Sequence, residues 1–299
     1  MKNKNLNLLV YLIFFLNFFP IVNANEEFNF NITELEILEN GNLIKGIKGG
    51  KATTDDGYTI TADTFIYDKL QNVLKVNGNV KFEDSKSELL IFTQKATYFK
   101  NQELIFTEGD SKAINQENVI TAEKFKYNKS KNILEAEKNV EFNDKKKEIF
   151  INSEKATYIK NEEKFFTDGV TTAEIEKKYK FDSKNVFYFK ILQTFYSNNK
   201  SSVQDDNGNL YKLKNFFYEI DKKLLKGKEV KVFSKIDENE IDQYYFSEGF
   251  FDFKKKSFIS KLTKVKIHKN VFGDQEQDPR LYGSSSRGNQ ESVIVNNGI

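Results

Sequence analysis

The chain lacks cysteine and tryptophan, and its 299 residues include one histidine, one methionine and two prolines. Without cysteine there is no disulfide framework, no thiol nucleophile and no lipoprotein anchor, so stability must come from packing and hydrogen bonds. With His268 as the single histidine, no metal site or charge relay built on two histidines can form. We therefore expect no enzymatic activity, no catalytic residue, no metal site and no cofactor.

The charges leave no surplus of one sign to attract nucleic acid. There are 46 basic and 44 acidic side chains, a formal net charge of +2, and the two signs are interspersed. A nucleic-acid-binding protein would show a clustered basic face. Apolar residues make up 38% of the chain and aromatic residues 14%, which is ample for a core and too rich for a fully disordered chain.

The N-terminus has the three regions of a secretory signal peptide. Lys2 and Lys4 precede an apolar run over residues 6–22, and Val-Asn-Ala at 22–24 is a small-residue cleavage site. An uncleaved anchor is the alternative, but the run is interrupted by asparagines and a proline and is shorter than the roughly 20 residues that a span needs. We predict a signal peptide over residues 1–24 and export of the remainder.

A repeat with an offset of sixty residues organises the centre of the chain. Residues 61–114 align with residues 121–174 without a gap, and each copy divides into halves of about thirty residues, a period typical of stacked arrays. Matched pairs include Thr61/Thr121, Ala62/Ala122, Phe65/Phe125, Tyr67/Tyr127, Asn72/Asn132, Leu74/Leu134, Val80/Val140, Phe82/Phe142, Tyr98/Tyr158 and Gly109/Gly169.

Within each copy apolar and polar residues alternate with a period of two, which predicts β-strands. Polar turns at 68–72 and at Asn207-Gly208 predict hairpins. No proline interrupts positions 21–278, so a hydrogen-bonded ladder can continue throughout. The pattern predicts stacked short antiparallel strands with an aromatic and aliphatic inner face, and that face fits either a filled core or an elongated apolar groove.

The repeated motif carries a resemblance to a known family. Thr-Ala-(Asp/Glu)-x-Phe-x-Tyr at 61–67 and 121–127, followed by Asn-x-Leu and Asn-Val-x-Phe, resembles the OstA-type domain of the periplasmic proteins of lipopolysaccharide transport. The tail, with Asp-Pro-Arg-Leu-Tyr-Gly at 278–283 and Val-Asn-Asn-Gly at 295–298, resembles the segment that joins this domain to the outer-membrane barrel in the LptD family. That family's barrel and junction cysteines are not among these 299 residues, so barrel functions are not carried over.

The resemblance implies an all-β fold, a repeated antiparallel β-jellyroll or open β-slide. It divides the chain into the signal peptide, an OstA-type domain over residues 25–270 and a junction-like tail over residues 271–299. It implies a periplasmic protein, associated with the outer membrane where a barrel follows, that accepts the acyl chains of lipopolysaccharide without chemistry. The groove candidates are Phe65, Tyr67, Val80, Phe82, Phe125, Tyr127, Val140 and Phe142.

The implied partners are lipid A, a soluble OstA-type bridge protein that docks by strand addition, and an outer-membrane barrel with its lipoprotein plug. Three other interpretations stay open at this point. The chain is a free-standing soluble bridge protein, a β-solenoid surface or structural protein with a filled core, or, with least support, an enzyme of the polysaccharide-lyase type.

Overall fold

A computed structural model describes residues 28–55, 57–86, 88–234, 241–268, 280–289 and 291–299. The predicted signal peptide and residues 278–279 of the tail motif lie outside these ranges. Apart from three single-turn 3₁₀ helices, Glu39–Gly41, Lys100–Gln102 and Lys160–Glu162, the regular structure is β. Among the described residues no helix has the length and apolar character needed to cross a membrane.

Twenty-four strands follow one another along the described part of the chain. They are β1 Asn29–Leu38, β2 Leu43–Thr53, β3 Tyr58–Ala62, β4 Thr64–Asp68, β5 Val73–Asp84, β6 Leu89–Phe99, β7 Leu104–Glu108, β8 Ser111–Asn115, β9 Asn118–Ala122, β10 Lys124–Asn128, β11 Ile133–Asp144, β12 Ile149–Ile159, β13 Lys164–Ile175, β14 Tyr179–Lys184, β15 Phe187–Phe189, β16 Thr194–Ser197, β17 Ser201–Gln204, β18 Leu210–Leu213, β19 Asn215–Glu219, β20 Leu224–Phe233, β21 Gln243–Asp252, β22 Ser257–Lys266, β23 Arg280–Gly288 and β24 Val293–Asn296.

The strands form two facing walls that share their longest members. In β5 the first half pairs with β4 and the second half with β3, and β11 divides its pairing in the same way between β10 and β9. Wall A contains β4, β7, β10, β15, β16, β19 and β24; wall B contains β3, β8, β9, β14, β17 and β18; each long strand contributes one half to each wall. All pairings are antiparallel, so the predicted all-β antiparallel jellyroll is confirmed.

The prediction of short strands was only partly right, because a long strand bends from one wall into the other at a point we call the corner. In β5 the pairing register shifts between Asn77 and Val80, where Gly78 and Asn79 both have positive φ. Such a bulge bends a strand sharply while the ladder continues on both sides. A Cβ on Gly78 would lie 2.2 Å from Asp63 Oδ2, so a larger residue here would have to displace the Asp63 side chain and adopt a φ of +79°, which glycine adopts without strain.

Buried hydroxyl groups fill the corner. Thr107 Oγ1 lies 2.6 Å from Ser111 Oγ, and it accepts a hydrogen bond of 2.9 Å from the backbone N–H of Phe125. Sixty residues later Thr167 repeats both contacts, with Thr171 and with the N–H of Val186. The hydroxyls thus satisfy one another and a backbone donor that the bend leaves outside the ladder.

The space between the walls holds one continuous hydrophobic core that runs from Phe28 to Phe253. Alternate residues of each strand point into it, as the period of two predicts. Each wall stacks about 17 strand segments, and at roughly 4.8 Å per segment the molecule is roughly 75–80 Å long. Strands β23 and β24 continue the walls beyond β22.

Candidate functional site

The eight predicted groove residues all lie between the walls. None is more than 3% exposed, and all belong to the continuous core. The four aromatic residues of the Phe-x-Tyr motifs are on β4 and β10 in wall A, and the Val-x-Phe pairs are on β5 and β11 in wall B. Their side chains are packed against neighbours: the Phe142 ring stacks on Phe165 with centroids 4.3 Å apart. In the repeat region the interior is therefore closed around the predicted residues.

The interior opens in the last third of the described chain, at a cleft of about 680 Å³. Its apolar lining comes from both walls, and its rim is polar. The lining includes Tyr211, Val232, Tyr244 and Phe246 of wall B, Phe251, Phe253 and Phe258 near the turn that joins β21 to β22, and the polar residues Asp205, Asn207, Asp242, Lys256 and His268. Sequence reasoning missed this cleft because it followed the sixty-residue repeat, which ends before the cleft begins.

Two carboxylates fix the rim of the cleft. Asp205 accepts hydrogen bonds from the Tyr211 hydroxyl at 2.9 Å and from the backbone N–H groups of Asn207 and Asn209, each at 2.9 Å. These bonds shape the predicted Asn207-Gly208 hairpin turn, which joins β17 to β18. On the other side of the rim, Asp242 Oδ1 lies 2.8 Å from His268 Nδ1. The rim is thus held in place by short polar contacts.

Opposite the corner, the turns of wall A face the turns of wall B, and we call this side the seam. One backbone hydrogen bond recurs along it at seven positions, each two residues after a buried aromatic residue. The N–H groups of Lys69, Lys100, Lys129, Lys160, Lys190, Ile220 and Phe253 donate to the carbonyls of Asn42, Asn72, Glu103, Asn132, Glu163, Gln193 and Lys223. The first five positions form a Tyr-x-Lys series, a signal that is visible in the sequence.

Charged side chains cross the seam from one wall to the other. Lys190 Nζ lies 3.6 Å from Asp144 Oδ2, whose carboxylate also accepts a hydrogen bond of 2.8 Å from the Tyr188 hydroxyl. Lys223 pairs with Glu176 at 2.5 Å. Lys129 is buried and places its ammonium 3.5 Å from the centre of the Tyr58 ring, a close cation–π contact. We call these cross-seam contacts clasps.

A third ion pair of this kind runs in the opposite direction, from Lys147 in a turn of wall B to Asp221 in a turn of wall A, at 2.8 Å. At Lys160, burial lowers the pKa of the ammonium, and the charges of Asp84 and Glu88 on wall B oppose that shift. The clasps therefore extend from the first strands of the repeat to the turn between β19 and β20.

Several tyrosine hydroxyls beside the seam are buried, and this gives a prediction for alkaline pH. Burial raises the pKa of Tyr158 to about 12 and that of Tyr179 to about 12, above the ordinary value of 10.0, and it also raises the pKa of Tyr188, Tyr211 and Tyr218. Because the folded state keeps these protons while the unfolded state loses them, the stabilisation is complete below pH 10 and is lost as the pH rises toward 12.

We therefore expect the free energy of unfolding in urea to fall steeply between about pH 10 and about pH 12. The Tyr158→Phe variant should show a shallower fall, because one titrating group is removed. Ultraviolet titration of tyrosinate should show a late-ionising fraction that disappears in urea. Equal slopes for the variant and the parent chain would contradict the assignment of Tyr158.

Comparisons with known proteins found one family and one solved structure to which the chain is similar. The family described as "Lipopolysaccharide-assembly, LptC-related" matches residues 43–142. No curated protein sequence matches the chain. Among solved structures, the chain is similar to LptH, described as the LptA homologous periplasmic component of the lipopolysaccharide transport device of Pseudomonas aeruginosa. That similarity has 17% identity and a TM-score of 0.35, and it covers 38% of this chain and 82% of that one.

Proposed function

We propose that the chain is a periplasmic lipopolysaccharide-transport protein that shelters acyl chains between its walls and acts as a bridge component without catalysing a reaction. The observation that carries the proposal is the cleft of about 680 Å³, whose aromatic lining is continuous with the apolar interior. Its volume falls in the range of roughly 300–1,000 Å³ typical of ligand pockets. Each methylene group that enters would contribute about 0.8 kcal/mol through the hydrophobic effect.

The family match supports the bridge interpretation more than the LptD interpretation. The matching family is described as LptC-related, and its match covers the first copy of the repeat and the start of the second. The LptD interpretation depends on the tail motif at 278–283, of which Arg280–Gly283 form the start of β23. An outer-membrane barrel and its lipoprotein plug are partners in that second interpretation, in which residues 271–299 would be a junction.

A bridge component needs a surface on which the next protein docks, and β1 offers one. Among the described strands it pairs with β2 alone, so one edge of its ten residues faces no described neighbour. Leu35 and Ile37 are exposed on this strand. An unpaired edge can accept a strand from a partner and thereby extend both walls. We propose that a like-folded bridge protein adds to the fold by strand addition.

Site-specific photo-crosslinking tests the lipid site. A photoreactive residue in place of Phe251, which lines the cleft, is expected to capture lipopolysaccharide in cells that make it, and mass spectrometry should identify lipid A in the adduct. Phe65 and Phe125 lie deeper in the closed interior, so we expect weaker capture there. Phe217, on the outer face of wall A, is the matched control. Capture at Phe217 equal to that at Phe251 would contradict the proposal.

A further inference from the structure

The seam changes its chemistry along its length. At five successive positions the residue that follows the buried aromatic residue by two places is a lysine, and at the last two it is Ile220 and then Phe253. The backbone hydrogen bond is the same at all seven positions, so the difference lies in the side chains alone. The last clasps, at Lys223 and Asp221, lie in the turn after Ile220. Beyond that turn no ion pair joins the walls among the described residues.

At Phe253 the seam is closed by aromatic rings. The Phe253 ring is stacked on Tyr179 of wall B with centroids 5.1 Å apart, and it lies 5.5 Å from the ring of Tyr211. One polar contact crosses nearby, in which Lys256 Nζ donates to the neutral amide oxygen of Asn207 at 3.1 Å. These residues, apart from Tyr179, also line the cleft.

From this difference we infer that a long-chain amphiphile enters the interior sideways through a port at Phe253, Lys256 and Asn207, while the clasps keep the rest of the seam shut. An acyl chain can replace ring contacts with contacts of the same kind, so the port opens without stranding a charge. In the clasped part, opening separates Lys190 from Asp144, whose carboxylate is fully buried, and water or lipid cannot replace that partner equally well.

The port rests on the proposed function, because it assumes that the interior takes up acyl chains. The port adds the route by which the ligand enters. This route predicts an effect on the rates of binding that is separate from any effect on affinity. A gate at the entrance changes the rates of association and dissociation together, whereas the equilibrium constant depends on the interior that the ligand reaches. Rates therefore test the port, and equilibrium binding tests the proposed function.

The absence of cysteine allows a covalent test on the folded protein. In the Asn207→Cys/Lys256→Cys variant both thiols lie at exposed positions on opposite lips of the port, and bismaleimidoethane can join them. The matched control is Lys147→Cys/Asp221→Cys, which places the same crosslink across a clasped part of the seam. Uptake of dansyl-undecanoic acid is followed by stopped-flow fluorescence before and after crosslinking.

We expect the crosslink across the port to slow association and dissociation by at least about tenfold, with the dissociation constant unchanged. The crosslink across the clasp should change both rates by less than about twofold, because that part of the seam stays shut in either state. Unchanged rates with the port crosslinked, or equal slowing by both crosslinks, would overturn the port. Failure of the uncrosslinked parent chain to bind the probe at equilibrium would overturn the proposed function itself.

Discussion

Replacement of Asp144 by alanine is expected to lower the free energy of unfolding by about 3–5 kcal/mol, the cost of removing one partner from a buried ion pair. Asp144 is 0% exposed. Its carboxylate accepts the Tyr188 hydroxyl at 2.8 Å and two backbone N–H groups of the following turn, each at 3.1 Å, and it lies 3.6 Å from the Lys190 ammonium. Alanine removes the acceptor that all of these donors share, and it leaves the Tyr188 hydroxyl buried without that acceptor.

The measurement is urea unfolding followed by circular dichroism. Asp182, on the outer face of wall B, is the control, because it is exposed and accepts one hydrogen bond from Ser202. The Asp182→Ala variant should change the free energy of unfolding by less than about 0.5 kcal/mol. A loss below about 1 kcal/mol for Asp144→Ala would mean that the clasp is not a buried ion pair in solution.

Truncation of Phe142 is expected to cost a similar amount, about 3–5 kcal/mol. The ring is 1% exposed and packs against Phe165, Tyr158 and Tyr188, so alanine would leave a cavity in a close-packed interior. Urea unfolding measures the loss. Phe217, which is 37% exposed on the outer face of wall A, provides a truncation of the same size where no cavity can form. Phe217→Ala should cost less than about 1 kcal/mol.

The result for Phe142 also bears on the two forms of the interior that the sequence allowed. A filled core loses stability when a ring is removed, whereas a groove open to water or lipid has no close packing to lose. A cost for Phe142→Ala as small as that for Phe217→Ala would favour an open groove in the repeat. It would then place acyl chains against the eight predicted residues.

The strands and their inward faces were predictable from the sequence because they depend on residues that are close together along the chain. Strand alternation has a period of two, so Phe65 and Tyr67 must share a face, and the repeat requires Phe125 and Tyr127 to share the equivalent one. Both pairs are buried between the walls. The bend from wall to wall was not predicted, since in the second copy a lysine, Lys138, occupies the left-handed position that Gly78 holds in the first.

The site was predictable only in part because it is formed by contacts between residues that are far apart along the chain. Lys190 contacts Asp144 and Asn118 across the seam, and these contacts depend on how the two walls face each other. No spacing in the sequence shows it. The cleft lies where the repeat has faded, so a search guided by the repeat stops short of it. The Tyr-x-Lys series and its replacement by Ile220 and Phe253 were present in the sequence, but their meaning depended on the backbone position that they share.

The corner and the seam recur together in every half-unit. The length of the molecule therefore depends on the number of half-units that are stacked. Each stretch of about thirty residues adds two strand segments to each wall, a length of roughly 10 Å. Duplication of one such stretch would move the β1 edge farther from the cleft while every side chain kept its inward or outward direction. Insertion of a single residue within a strand would reverse those directions beyond it. The distance between the proposed docking edge and the proposed port is therefore set by the number of similarly folded modules, and evolution can change it one module at a time.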